Sequence, residues 1–499
     1  MAKVDNVSKC TSRRQFLRTA AVGAASAALS GKLAFAGPAT RNQRVRPNVV
    51  FVFADQWRAQ ASGYAGNKDV RTPHVDALAA QSANFSNAVS GCPVCSPYRA
   101  SLMTGQYWLT HGIFYNDKPL DPAAATIGKA YRQAGYQTAY IGKWHIDGHG
   151  RTSFIPKERR QGFEFWRVCE CTHDYNHSLY YADTPEQLYW PGYDAIAQTR
   201  EAQKYIRDHA NKSPFALFMS WGPPHDPYQT APEQYRSMYA DPSKLSVRPN
   251  VPEPLREKAQ QAMAGYYAHI AALDDCLGDI LKTLDECGIA DNTIFVFTSD
   301  HGDMLFSHGQ TNKQKPWEES VRVPFLLRYP ALLGKAGKTI DTPINTPDIM
   351  PTLLALSGLD IPKSVEGADF SGVIKGTRQP DNDAALIMCP VPFHQWSYSR
   401  GGREYRGVRT RRYTYVRDLK GPWLLYDNQA DPYQLTNLCN NPEHSQVQRE
   451  LDKILSVRLK ETRDEFLPGP QYMAKWNYQW DGKDAPNQAS PSEVKEKQS

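Results

Sequence analysis

Hydrophobic and polar positions alternate along the chain in blocks that predict strands and helices in turn. Four short runs rich in β-branched and aromatic residues predict buried strands, at residues 49–53, 137–141, 214–219 and 293–297. Amphipathic stretches between and after them predict helices at residues 124–133, 193–210 and 257–287. Alternation of this kind is typical of an α/β fold, so we expect a large mixed, mainly parallel sheet flanked by helices.

The pattern changes near Asn382. Short runs at residues 405–408, 414–417 and 424–426 predict strands joined by tight turns, and residues 447–461 predict a helix. We therefore expect a large domain over residues 44–378, a smaller C-terminal domain of antiparallel sheet plus helix over 379–480, and a polar, flexible tail over 481–499. Strand alternation predicts that most arginines between Arg400 and Arg412 are solvated.

Residues 1–36 have the pattern of a twin-arginine signal peptide. Arg13 and Arg14 precede an apolar stretch, and Ala34-Phe35-Ala36 forms a cleavage signal. The apolar stretch at residues 19–30 is too short to span a bilayer. We therefore expect a periplasmic or secreted protein that is carried out by the twin-arginine translocase and has no stable membrane anchor.

The charge and the cysteine content of the chain limit the partners and the disulfides that we expect. The net charge is +6, and residues 1–36 carry six basic residues and one acidic residue, which leaves the remainder close to neutral. Nothing in this balance favours nucleic acid as a partner. Cys276 and Cys287 lie on one predicted helix, about 16 Å apart along its axis, so they cannot form a disulfide. We expect few or no disulfides among the nine cysteines.

Polar residues with chemical capability follow each of the four predicted strands. They are Asp55 and Gln56 after the first, Lys143 and His145 after the second, His225 and Asp226 after the third, and Asp300 and His301 after the fourth. In α/β sheets, ligands bind beyond the carboxyl ends of the strands. We therefore expect these groups to meet in one crevice.

Cys95 begins a further predicted helix, which ends at Gly105. Pro97 suits the first helical turn, and Arg99 lies on the same face as Cys95. A helix N-terminus beside an arginine attracts anions such as sulfate or phosphate. Two other interpretations remain open here: an unreactive thiol at a helix start, or a redox pair formed by Cys92 and Cys95.

The run from Cys95 to Arg99, followed by Thr104 and Gly105, resembles the signature of the type I sulfatases of the alkaline phosphatase superfamily. Tyr98 stands where the commonest version has serine. The resemblance implies that a formylglycine-generating enzyme oxidises Cys95 to formylglycine, whose hydrated aldehyde is the nucleophile.

The same resemblance implies a metal site. Its expected ligands are Asp55, Gln56, Asp300 and His301, together with the modified Cys95. Oxygen-rich ligands suit Ca²⁺, with Mg²⁺ as the alternative.

It also implies roles around the sulfate group. Arg99, Lys143 and Lys313 are expected to bind sulfate, with Lys315 as a competitor of Lys313. His225 is expected to protonate the departing oxygen, and His145 to act as base when the covalent sulfate ester is broken. Asn116 is a further candidate for substrate binding.

These features predict an exported sulfatase that hydrolyses sulfate esters of sulfated carbohydrates. One alternative is a phosphonate monoester or phosphodiester hydrolase of the same superfamily. Those enzymes resemble this chain at Asn116 but tend to have neutral residues where Lys143 and His145 stand, which favours sulfate. The other alternative is a catalytically silent protein that binds sulfated glycans and keeps Cys95 as a thiol.

Overall fold

A computed structural model describes residues 46–379 and 383–479. The predicted signal peptide and the predicted tail lie outside the described residues. Its strands are β1 (Asn48–Asp55), β2 (Ala83–Phe85), β3 (Ala88–Val89), β4 (Gln137–Lys143), β5 (Phe165–Cys169), β6 (Leu179–Tyr180), β7 (Leu188–Tyr189), β8 (Phe215–Pro224), β9 (Thr293–Ser299), β10 (Arg322–Val323), β11 (Phe325–Arg328), β12 (Lys338–Ile340), β13 (Ile344–Asn345), β14 (Ala384–Cys389), β15 (Tyr405–Thr410), β16 (Tyr413–Asp418) and β17 (Gly421–Asp427). Its α-helices are α1 (Pro73–Ala79), α2 (Cys95–Thr104), α3 (Trp108–His111), α4 (Ile127–Gln133), α5 (Asp194–His209), α6 (Glu233–Arg236), α7 (Arg256–Glu286), α8 (Glu318–Val321), α9 (Pro330–Leu333), α10 (Ile349–Leu356), α11 (Ser371–Lys375), α12 (Ser445–Glu461) and α13 (Gly469–Lys475).

The main sheet has eight strands in the order β12-β2-β11-β9-β1-β8-β4-β5. Its centre is parallel: β1 pairs with β8 and β9, and β4 pairs with β8 and β5. Strand β11 runs antiparallel to β9 and β2. The predicted mixed, mainly parallel sheet is therefore confirmed, and the four predicted strands are β1, β4, β8 and β9.

Strand β1 is buried along its whole length, which is why its sequence is continuously apolar rather than alternating. Val50 and Val52 face a core shared with α5 and α7. Val49, Phe51 and Phe53 face a second core, shared with α2, α4 and α10. Burying such side chains contributes about 1.5–3 kcal/mol each, so the two cores fix the position of the strand ends.

A second sheet is formed by the last strands in the order β14-β15-β16-β17, all antiparallel, with α12 packed against it. This confirms the predicted small antiparallel sheet plus helix, although β14 was not anticipated from the sequence. The core of this sheet includes Val94, which directly precedes α2, and Trp108, the first residue of α3. The boundary at residue 379 stays a prediction.

The expectation that most of the six arginines from Arg400 to Arg412 are solvated agrees with the structure, in which four are exposed and two are buried. Arg406 is fully buried and pairs with Asp464, and Arg409 is buried and pairs with Glu318. Both arginines lie on β15, whose two faces are covered, so alternation does not expose either of them.

The eight cysteines in the described ranges all carry free thiols. Among the helices of residues 46–379 and 383–479, none combines the length and the apolar character that crossing a membrane requires.

Candidate active site

The polar residues that follow β1, β4, β8 and β9 come together because these strands are parallel neighbours in the sheet. Lys143 Nζ lies 2.6 Å from Asp55 Oδ2, and the main-chain nitrogen of Gln56 donates to Asp300 Oδ1 over 3.0 Å. The side chain of Lys313 forms hydrogen bonds with both Gln56 Oε1, at 2.8 Å, and His225 Nε2. The predicted convergence at one edge of the sheet is present.

Cys95 is the first residue of α2 and is 1% exposed. The helix starts there because Val94 is extended, and it ends at Gly105, which adopts the left-handed conformation with φ +65°. Cys95 Sγ lies 3.2 Å from His301 Nε2 and 3.6 Å from Asp55 Oδ1. Burial raises the pKa of the Cys95 thiol, but the nearby amines of Lys143 and Lys313 and the His301 imidazole bring it well below its usual range. The site therefore favours negative charge at this position.

Four predicted metal ligands form one buried cluster. The donor atoms of Asp55, Cys95, Asp300 and His301 all lie within 4.8 Å of one another. Two carboxylates and an imidazole that face one point make a donor set suited to a divalent cation, so these residues fit the expected metal. Gln56 adjoins the cluster, where its amide nitrogen donates to Asp303 Oδ2 over 2.7 Å. Asp303 was not among the predicted site residues.

Arg99 contacts the carboxylates of the cluster directly. Its guanidinium donates to Asp55 Oδ2 at 3.2 Å and to Asp300 Oδ2 at 3.0 Å. It also donates to the Lys143 carbonyl and the Ser220 hydroxyl, each at 2.7 Å. Arg99 is 1% exposed, and these contacts fix the two carboxylates in place. The geometry makes Arg99 a positioning group in this structure.

Beside the cluster is a small cavity of about 70 Å³ that reaches Cys95. Its lining includes the predicted residues Cys95, Asn116, Lys143, His145, His225 and Lys313. It also includes residues that the sequence argument missed, namely Arg151, His173, Gln314, Phe393, His394 and Gln395. Among these, only His173 could have been proposed from the sequence, because it follows strand β5 at the same edge of the sheet.

Lys313 and Lys315 differ in where their side chains lie. Lys313 Nζ faces the cavity, as its bonds to Gln56 and His225 show. Lys315 Nζ instead donates to the carbonyls of Thr311 and Gln395, at 2.7 and 3.2 Å. Burial lowers the pKa of Lys315 to about 7.

His225 has a defined hydrogen-bond arrangement. Its Nδ1 lies 2.8 Å from the Asp226 carbonyl, so Nδ1 donates there and Nε2 is left to accept from Lys313. Burial and the Lys313 charge lower the pKa of His225 well below its usual range. The His173 ring stacks on the His225 ring at 4.5 Å and so restricts its rotation.

His145 is held from the other side of the cavity. Its Nε2 lies 3.0 Å from Asp117 Oδ1, and Arg151 binds both oxygens of the same carboxylate at 2.9 and 2.8 Å. Burial lowers the pKa of His145, but the Cys171 thiol and Asp117 outweigh it and hold the pKa well above its usual range. Its Nδ1 is buried and has no hydrogen-bond partner in the part of the chain that the structure describes. One ring nitrogen is thus anchored while the other is unused.

Comparisons with known proteins match most of the chain. The Sulfatase family model matches residues 47–359, and the model for the C-terminal part of N-sulphoglucosamine sulphohydrolase matches residues 307–462. An "Ulvan-active sulfatase" of Formosa agariphila is 44% identical over 453 residues, covering 89% of this chain and 87% of the relative. An "Endo-4-O-sulfatase" of Bacteroides thetaiotaomicron is 31% identical over 488 residues, covering 85% of this chain and 93% of the relative. The solved phosphonate monoester hydrolase of Agrobacterium radiobacter is 26% identical, with a TM-score of 0.68, and covers 83% of this chain and 96% of its own.

Proposed function

Because the chain belongs to the sulfatase family, we propose that it removes sulfate from sulfated carbohydrates through a formylglycine made from Cys95. The observation that carries the proposal is the position of Cys95. It lies at a helix N-terminus, in contact with a divalent-metal donor set, and opens into a cavity that two lysines line. Such a pocket stabilises the charge of a transferring sulfate group.

Two features support a carbohydrate substrate. The relatives with 44% and 31% identity are an ulvan-active sulfatase and an endo-4-O-sulfatase. The cavity is small, at about 70 Å³, and both Lys143 and Lys313 line it. It therefore suits a single sulfate group, and the sugar would lie at the mouth near His173, His394 and Gln395.

The residues of the chain divide the chemical work between them. As formylglycine, residue 95 would supply an aldehyde hydrate whose oxygen attacks sulfur. Lys143 and Lys313 would bind the sulfate oxygens, since both amines line the cavity. Arg99 would act indirectly, through the carboxylates of Asp55 and Asp300 that it holds.

The Lys313–His225 pair is suited to proton delivery. His225 Nε2 accepts a hydrogen bond from the Lys313 ammonium, so it could take that proton, leaving a neutral amine, and give it from the same nitrogen to the departing oxygen. Asp117 fixes Nε2 of His145, and the buried Nδ1 could exchange a proton with residue 95. Both histidines line the same cavity.

Asp55, Gln56, Asp300 and His301, with residue 95, would hold Ca²⁺ or Mg²⁺. The ion would supply positive charge next to the sulfate group. The buried carboxylates of Asp55 and Asp300 fit this role, because Arg99 holds both of them and their donor oxygens lie within 4.8 Å of each other.

Phosphonate or phosphodiester hydrolysis is the competing activity, supported by the similarity to the Agrobacterium enzyme. Lys143 and His145, which line the cavity beside Cys95, favour sulfate, because the phosphonate hydrolases that the chain resembles tend to have neutral residues at these two positions. Turnover of an aryl sulfate and of the matching aryl phosphonate should be compared with one preparation. Faster sulfate hydrolysis is expected, and faster phosphonate hydrolysis would overturn the assignment.

A panel of defined sulfated saccharides tests the carbohydrate part of the proposal. We expect kcat/KM on at least one saccharide to exceed the value on the aryl sulfate, because the mouth residues can bind sugar hydroxyls. The variant His394→Ala should lower kcat/KM on that saccharide and spare the aryl sulfate, with the exposed Lys420→Ala as control. Equal losses on both substrates would contradict a sugar contact at the mouth.

A further inference from the structure

A second cavity lies away from Cys95 and has a volume of about 410 Å³. The segment from Arg58 to Asp69, residues 246–249 and the loop at Tyr433 form its wall together with Tyr267 and Arg322. None of its lining residues also lines the cavity at Cys95. It is therefore a separate place on the molecule.

Arg58 is the unusual residue of this wall. It is 2% exposed, and within residues 46–379 and 383–479 the Nε and Nη1 atoms of its guanidinium are buried without a hydrogen-bond partner. Gln60, 9% exposed, lines the same cavity, and neither its amide oxygen nor its amide nitrogen has a partner within those ranges. Buried polar groups are normally paired, so two such groups in one wall indicate a missing partner.

The charges around the cavity indicate the sign of that partner. Lys68 is exposed on the rim and forms no ion pair with any residue of the described ranges, and Arg248 and Arg322 add two more cations. Arg248 is already paired with Glu319, and Arg322 with Glu318. The one acid in the wall, Asp69, accepts from the Ser246 main chain. Arg58 and Lys68 are thus the two cations of the wall that form no ion pair within the described ranges. Burial lowers the pKa of Arg58, but Glu319 and Asp303 lie near enough to Arg58 to raise it.

We infer that this cavity binds an oxyanion, either a sulfate or a carboxylate, between Arg58, Gln60 and Lys68. A guanidinium and an amide together can donate several hydrogen bonds to such a group, and the lysine adds charge. Two sources share this chemistry: inorganic sulfate in solution, and a sulfate or uronate group on a carbohydrate chain. The inference does not depend on the fate of Cys95.

Equilibrium dialysis with radioactive inorganic sulfate tests the inference in the full-length protein. The proteins to compare are wild type, Arg58→Gln and Lys68→Ala, with Lys420→Ala as a matched control for loss of one exposed charge. We expect Arg58→Gln to weaken one class of sites by about tenfold or more, and Lys68→Ala by about threefold. Lys420→Ala should bind as wild type does.

A Lys313→Ala variant separates the two cavities, because it alters only the site at Cys95. Sulfate binding that persists in Lys313→Ala and falls in Lys68→Ala supports the inference. A second arm uses a sulfated disaccharide as the probe: tighter binding than inorganic sulfate assigns the site to carbohydrate, and equal binding assigns it to the free anion.

The inference is overturned if neither probe responds to Arg58→Gln or Lys68→Ala. Because Arg58 is buried, its variant must first show a cooperative thermal transition. If it does not fold, exposed Lys68 carries the test alone, and wild-type affinity in Lys68→Ala then refutes the site. Since binding rather than turnover is measured, failure here leaves the proposed sulfatase chemistry untouched.

Discussion

Single side chains decide which charges reach the cavity at Cys95. Lys313 and Lys315 are two residues apart, yet Lys313 contacts Gln56 and His225 while Lys315 is held by two main-chain carbonyls. A sequence spacing cannot separate them, because the backbone between them has a left-handed residue, Gln314 at φ +74°, that turns the two side chains apart.

The first prediction compares these lysines. Lys313→Ala should lower kcat on an aryl sulfate by about 100-fold or more, because a charge next to the transferring group is lost. Lys315→Met should keep kcat within about threefold, since it removes no group from the cavity. Steady-state kinetics of the two variants measures the effect, and the reverse order of losses would show that Lys315 is the sulfate ligand.

A second prediction at this scale concerns stability and pH. The pKa of Lys315 falls from 10.5 to about 7 through burial. Between these values the unfolded chain binds a proton that the folded chain does not, so this lysine makes the free energy of unfolding rise with pH, by about 1.4 kcal/mol per unit. Below pH 7 its contribution is constant and unfavourable.

Lys315→Met removes that contribution. Its free energy of unfolding relative to wild type should therefore be greatest near pH 7 and shrink steadily towards pH 10, as measured by urea denaturation. A difference that does not change across this window would show that Lys315 stays charged in the folded protein.

At the level of strands and helices, the small sheet depends on a buried ion pair. Arg406 on β15 and Asp464 after α12 are both fully buried and bonded to each other, and Tyr472 also donates to Asp464. The third prediction is that Arg406→Met destabilises the protein by about 3–5 kcal/mol, because the carboxylate is left without its charge partner.

Thermal unfolding measures this loss. The double variant Arg406→Met, Asp464→Leu should recover most of the stability, since no uncompensated charge remains. A double variant as unstable as the single one would show that packing, and not charge, accounts for the loss.

The strands and helices also show which parts of the fold can be predicted from the sequence. The strands β1, β4, β8 and β9 could be predicted because each is buried and followed by polar groups, and their parallel order then brings Asp55, Lys143 and Asp300 together. The cavity wall at residues 393–395 could not be predicted, because it follows β14, whose place depends on contacts between segments distant in sequence. The burial of Arg406 and Arg409 on β15 could not be predicted for the same reason, because their acidic partners, Asp464 and Glu318, lie far away along the chain.

For the whole molecule, we propose export from the cytoplasm by the twin-arginine pathway. The twin-arginine motif at Arg13 and Arg14 predicts that the chain is exported after it has folded. Export of a folded chain leaves time for Cys95 to be modified inside the cell.

The fourth prediction follows from this order of events. Replacing both arginines by lysine should leave active enzyme in the cytoplasm, because the translocase no longer recognises the signal. Cell fractionation with an aryl sulfate assay measures the distribution, and Lys9→Ala serves as a control for loss of one basic residue. Unchanged activity outside the cytoplasm in the double-lysine variant would contradict this route.

The central claim is that residue 95 of the active protein is an aldehyde. Peptide mass spectrometry across Cys95, on protein whose sulfatase turnover has been measured, tests it most directly. We predict a peptide about 18 Da lighter than the unmodified cysteine peptide, as conversion of CH₂SH to CHO requires, in a fraction that rises with specific activity. Full activity in protein whose Cys95 is entirely an unmodified thiol would contradict the account.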